Sequence, residues 1–291
     1  MRDKAPEETL KVAHRSIPPY HLADIPVPAP HMARERRWGY ALLGFLSVLL
    51  LALLFTPGLP LQWKMYAVVH GICAQQHNIF FGTMQFPICA RNSGIYSSFL
   101  ITTVYLWAIG RGRAGRVPPW SISAILLAFV AIMAVDGFNS LFVDLGLPYF
   151  YVPRNSLRTL TGMGMGVGIA VMLLLILNTT LRKNVDDQQP ALKNLVELGG
   201  VLLINFLVLV ALYGNLEMLF WPLAFISFFG IVGVLYLVNV LLVSLLMGYE
   251  GTVTHPIQLA RPATIALVPT LVILAILSAL RFWLESQGLI L

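Results

Sequence analysis

Charge is scarce in this 291-residue chain: Asp, Glu, Lys and Arg together make up 11% of it, against about a quarter in soluble domains. Hydrophobic residues make up 58%. That balance excludes an ordinary soluble globular domain. Cysteine is nearly absent, with Cys73 and Cys89 the only two, so a disulfide-dense secreted scaffold is excluded as well. No nucleophile elbow, phosphate loop, His-Glu-x-x-His, CxxC or internal repeat is present. The short alternating strands of a transmembrane barrel are missing too.

What the chain has is long apolar runs. A spanning helix needs about 20 apolar residues, and seven segments meet that: Trp38–Phe55, Asn92–Ile109, Trp120–Leu141, Leu157–Asn178, Leu195–Tyr213, Trp221–Met247 and Pro262–Trp283. The expected fold is an all-α integral membrane protein, a bundle of about seven transmembrane helices. The first run follows a polar tail and no small-residue cleavage site comes after it, so it reads as a span and not a cleaved signal. Fourteen of the nineteen Lys and Arg residues fall on the side of the N-terminal tail and five on the other. The positive-inside rule then puts the N-terminus in the cytoplasm and the C-terminus outside. The formal charge of +6 is mostly this topogenic excess and does not imply nucleic-acid binding.

Residues 1–37 form a Pro-rich polar tail, with Pro18-Pro19 and Pro26-Val-Pro-Ala-Pro30, a composition that favours extended chain. It is either a solvated tail or a docking arm. Residues 38–291 form the bundle. Between its first two spans, residues 60–91 hold a short helix at Trp63–Cys73 and read as an outer cap or a re-entrant segment, since non-helical backbone at membrane depth needs protein or a cavity around it. Gly162/Gly166 and Gly164/Gly168 are overlapping small-xxx-small pairs that allow close helix contact. The spans over 195–283 carry few polar residues and read as scaffold or as a surface for other membrane subunits.

Polar and ionisable groups at membrane depth are expensive, so their convergence marks a functional site. This topology brings His77, Gln85 and Arg91, then Asp136, Asn139 and Asp144, then Arg154, Asn155 and Arg158 to the outer face. Arg91, Arg154 and Arg158 are the expected anion contacts, because a guanidinium fork suits phosphate and carboxylate. Asp136 would orient an arginine, or simply pair with one to fix the bundle. His70, Cys73 and His77 share a helical face and with Cys89 can supply four metal ligands. A Cys73–Cys89 disulfide or two thiols are the simpler outcomes in an oxidising compartment. Haem held by two facing His is disfavoured, because His70 and His77 lie on one segment. No cofactor follows from the residues.

The stretch Pro87-Ile-Cys-Ala-Arg-Asn-Ser-Gly-Ile-Tyr96, with Cys73 and Gln75 before it and Asp136-Gly137, Asn155, Arg158, Thr161 and Gly162 after it, resembles a prokaryotic family of polytopic membrane proteins of unknown function. The resemblance covers about residues 63–178. Many relatives have Cys-His-Gln where this chain has Cys73-Ala-Gln75, and a second Cys where Asn92 stands; both departures weaken a metal site. The resemblance implies a prokaryotic cytoplasmic membrane and draws attention to Arg91, Asp136 and Arg158, but it supplies no activity. The expected function is an outward-facing site for an anionic small molecule or lipid headgroup. The alternatives are an accessory subunit of a larger membrane complex, or an outer-leaflet enzyme with His77 or Asp136 as general base.

Overall fold

The computed structural model describes residues 29–72, 77–214 and 216–288. Most of the Pro-rich tail, and Cys73 and Gln75, lie outside them. Eight helices dominate. α1 runs Ala29–Phe55, α2 Leu61–Val69, α3 Ala90–Ala108, α4 Trp120–Asp144, α5 Asn155–Leu181, α6 Leu195–Tyr213, α7 Phe220–Leu246 and α8 Ala260–Ser286. Six of them, α1 and α4 to α8, are long and apolar enough to cross a membrane. α3 is long enough at 19 residues but carries Arg91, Asn92, Ser93, Ser97, Ser98, Thr102 and Thr103, which lower its apolar character. α1 starts earlier than the tail's composition suggested. Pro30 sits in its first turn, where a missing N–H costs nothing, and the Arg-rich stretch that follows has good helix propensity.

Two short sheets interrupt the all-helical expectation. β1 (Asn78–Phe81) and β2 (Met84–Cys89) form an antiparallel hairpin, turned by Gly82 at φ 58°. β3 (Ala114–Arg116) and β4 (Asp186–Pro190) form a parallel pair at the opposite end of the bundle. The hairpin is held by its aromatic residues. Phe81 and Phe86 are fully buried and pack on Phe220 at the start of α7, with ring centroids 5.6 and 5.8 Å away.

α3 is the hub of the bundle, between α5 and α7. A Cβ on Gly166 would sit 2.2 Å from Ile95 O, one on Gly162 2.4 Å from Arg91 O, and one on Gly94 2.1 Å from Thr159 O. Across the other side, a Cβ on Gly230 would sit 2.1 Å from Tyr96 O. Only glycine permits such backbone approach. The two glycine pairs of α5 face different neighbours: Gly162 and Gly166 meet α3, while Gly164 meets Phe129 of α4 and Gly168 reaches Val130.

α2 is latched to the end of α8. His70 Nε2 lies 2.7 Å from Glu285 Oε2, and its ring stacks between Tyr66 and Phe282 at 4.8 and 4.2 Å. Ser278 Oγ donates to Val68 O and accepts from Gly71 N. The hairpin, α2, the start of α3, the α4–α5 connection and the end of α8 thus gather at one end of the molecule.

Candidate functional site

At that end the close packing of α3 on α5 sets where the polar side chains lie. The Gly162 contact fixes Arg91, and Arg158 stands one turn earlier on α5. Asp136 of α4 completes the meeting of three helices and is 1% exposed. Arg91 Nη2 donates to Asp136 Oδ2 at 2.7 Å, to the Asp136 carbonyl at 3.2 Å and to Ser140 Oγ at 2.9 Å. The other carboxylate oxygen accepts from the Tyr151 hydroxyl at 2.7 Å, and Thr161 Oγ1 lies 3.3 Å from Oδ2. Burial, with the Asp136 hydrogen bond behind it, pushes the Tyr151 phenol up to about 12, so it stays a donor at any ordinary pH. Asn139 pins the loop that carries Tyr151: its amide accepts from Phe150 N and donates to Tyr151 O, at 2.8 and 2.9 Å.

Arg158 is held differently. It is 5% exposed, yet its two hydrogen bonds go to neutral groups, Nε to Ser140 Oγ and Nη1 to Asn155 Oδ1, both at 3.3 Å. Among the described residues no carboxylate lies within 4.0 Å of it. Asp136 and Asp144 act on it from farther away, and the Arg91 charge opposes them. Asn155 Nδ2 donates to Asn78 O at 3.0 Å, which ties this corner to the hairpin. His77 lies 3.7 Å from Asp144, beyond hydrogen bonding. Burial first, and Arg158 second, push its imidazole below 6.5. Two further nitrogens, Arg91 Nε and His77 Nε2, are enclosed without a hydrogen-bond partner among the described residues.

The structure therefore brings His77, Arg91, Asp136, Asn155 and Arg158 to one corner. Arg154 does not join them; it caps the start of α5 and is exposed. Gln85 sits half-buried in β2, paired in register with Phe80, and among the described residues it makes no hydrogen bond to the cluster. His70 serves the α8 latch. Cys73 lies outside the described residues, so neither a Cys73–Cys89 disulfide nor the four-ligand set is placed. Among the described residues no group of three or more His, Cys, Asp or Glu stands ready for a metal. Sequence reasoning missed Ser140 and Tyr151. Ser140 falls one turn beyond Asp136 on α4, a spacing that puts both on one face, and that was the available signal. Chemically the corner offers donors and positive charge in excess of acceptors. Asp136 is poorly placed as a base, because both its oxygens are already engaged.

Residues 73–172, which contain this corner from His77 to Arg158, match the model of a family described as a predicted membrane protein (DUF2085). No curated protein matches the chain, and no solved structure does. The match and the six apolar helices make this a multi-pass membrane protein.

Proposed function

We propose that the protein binds an anionic small molecule or lipid headgroup at the hairpin end of its bundle, facing outward from a prokaryotic cytoplasmic membrane. Arg158 is the principal contact, with Arg91 Nε, His77 and Asn155 beside it. One observation carries the reading: Arg158 is almost fully buried, and among the described residues no carboxylate lies within 4.0 Å of it. A desolvated guanidinium without a counterion is costly, and an incoming phosphate or carboxylate removes that cost through charge-assisted hydrogen bonds. Arg91, by contrast, is spent on Asp136 and acts mainly to hold the corner together.

In this proposal α3 is the seventh crossing, which gives the seven-span bundle. Its polar side chains face protein instead of lipid, with Ser93, Ser97, Ser98 and Thr102 all at 1% exposure or less. Its start meets the end of α4 through Arg91 and Asp136. Past its far end, Arg111 pairs with Glu197 at the start of α6. Both support a helix that runs the depth of the bundle. Residues 60–91 then act as an outer cap formed by α2 and the hairpin, and the C-terminus lies outside.

The test is thermal unfolding of the purified protein in mild detergent with inorganic phosphate or glycerol phosphate as the probe. Wild type should be stabilised by the anion. Arg158→Gln should fold and lose the effect, with affinity down at least about tenfold for one charge-assisted hydrogen bond of roughly 1.5–3 kcal/mol. An anion response kept by Arg158→Gln, or absent from wild type, would overturn the reading. The second reading, an accessory subunit, draws support from α1, none of whose most apolar stretch is buried in the fold. Partner proteins co-purifying in fixed ratio would favour it.

A further inference from the structure

A second ligand position lies on the bilayer-facing side of the bundle, next to the Arg158 corner, with Tyr151 and Thr161 in the wall between them. α4 and α6 splay over α5 and leave a cleft of about 410 Å³. Its α5 wall is the stripe Leu157, Leu160 and Gly164, and its α6 wall is Leu202, Asn205 and Phe206. These positions recur at three and four residues, so each set is one helix face. Leu160 and Phe206 are about half exposed, at 50% and 56%, which leaves the cleft open sideways to lipid. Toward the hairpin end it runs into a wider groove of about 640 Å³ that shares Leu157 and Leu160 and is extended by Leu209. That upper groove is polar at its mouth, with Tyr151, Arg154 and Ser156. Arg154 is exposed, and no carboxylate lies within 4.0 Å of it among the described residues. The first residue of the α5 span follows it directly, which sets it at headgroup depth.

We infer that this groove holds one anionic phospholipid, its phosphate at Arg154 and Ser156 and one acyl chain in the trough between α5 and α6. Size and charge both select this occupant. A cleft of this volume suits a chain-sized ligand and is far too small for another helix. An unpaired arginine at the headgroup level attracts anionic lipid over zwitterionic lipid. The continuity of a cationic mouth with an apolar trough matches an amphiphile and no soluble anion.

The experiment is native mass spectrometry of the full chain from vesicles of equal phosphatidylglycerol and phosphatidylcholine, under activation that strips bulk lipid. Wild type should retain one phosphatidylglycerol in preference to phosphatidylcholine. Arg154→Gln should keep a lipid and lose the headgroup preference. Leu160→Trp, placed where the side chain is half exposed and the fold tolerates bulk, should fill the trough and lose the retained lipid at unchanged thermal stability. Arg116→Gln, at an exposed arginine of β3 away from both sites, should keep both lipid and preference, which separates the Arg154 contact from a general loss of positive charge. Equal retention of the two lipids by wild type, or preference unaffected by Arg154→Gln and Leu160→Trp, would overturn the inference. So would displacement of the lipid by inorganic phosphate alone.

Discussion

His77 shows how one residue reports on the corner around it. Its imidazole lies between a carboxylate that favours the proton and two arginines that oppose it, inside partial burial that opposes it most. The native value therefore falls below 6.5 while the unfolded chain keeps the ordinary one. In that window the unfolded state binds more protons, so stability rises with pH there and is lost as the pH drops through 6.5. Thermal unfolding of wild type and His77→Gln between pH 5 and pH 8 should diverge below about 6.5, with the variant less sensitive to acid. Identical pH profiles would mean that burial and Arg158 together leave the His77 imidazole where the unfolded chain has it. Much of this corner was legible in the sequence, because a charged residue inside an apolar run stands out: Arg91, Asp136 and Arg158 needed only composition and topology. Ser140 and Tyr151 did not stand out, since hydroxyls are common in this chain and only packing decides which of them turn inward; Thr161 was marked by the family-like motif alone. Arg154 was legible as a charge, but its rotation away from Arg158 depends on where α5 starts.

At the scale of elements, the spacing of the α5 glycines was readable while their partners were not. Two overlapping pairs announce close contact; that one pair serves α3 and the other α4 follows only from three-dimensional packing. Gly94 was marked only by the family-like motif and Gly230 by nothing, yet they meet backbone as closely as Gly162 does. The hairpin was also missed, although Phe80-Phe81-Gly82-Thr83-Met84 has the apolar–turn–apolar form of one. Substituting these glycines should separate contact from open space. Gly166→Ala and Gly230→Ala each put a Cβ 2.2 or 2.1 Å from a carbonyl oxygen. Backbone has to move, and each should destabilise by about 1–3 kcal/mol or more. Gly137→Ala meets nothing within 4 Å and should be neutral or slightly stabilising, as expected for better helix propensity. Thermal midpoints in one detergent check all three, and a neutral Gly230→Ala would contradict the packing of α3 against α7.

For the whole molecule, the question is how many times the chain crosses. Apolar length alone counts six helices, because α3 spends its surface on α5 and α7 and so can carry hydroxyls that a lipid-facing helix would not. If α3 crosses, a hydropathy count misses the helix the bundle is built around. At about 1.5 Å per residue the 19 residues of α3 reach roughly 28 Å, close to a hydrocarbon core of about 30 Å and within the range of about 17–25 residues that spanning helices use. If it crosses, the hairpin turn and the β3–β4 sheet lie on opposite sides of the membrane, with the basic excess on the sheet's side. Two exposed positions, Thr83 in the turn and Gln188 in β4, distinguish the cases. In a chain with Cys73 and Cys89 replaced, Thr83→Cys should react with a membrane-impermeant maleimide added to intact cells. Gln188→Cys should react only after the membrane is opened. Both labelling from the same side would leave α3 as a helix that enters and returns. Both sites labelling from the reversed sides would keep seven crossings and reject the basic-residue assignment of the N-terminus to the cytoplasm.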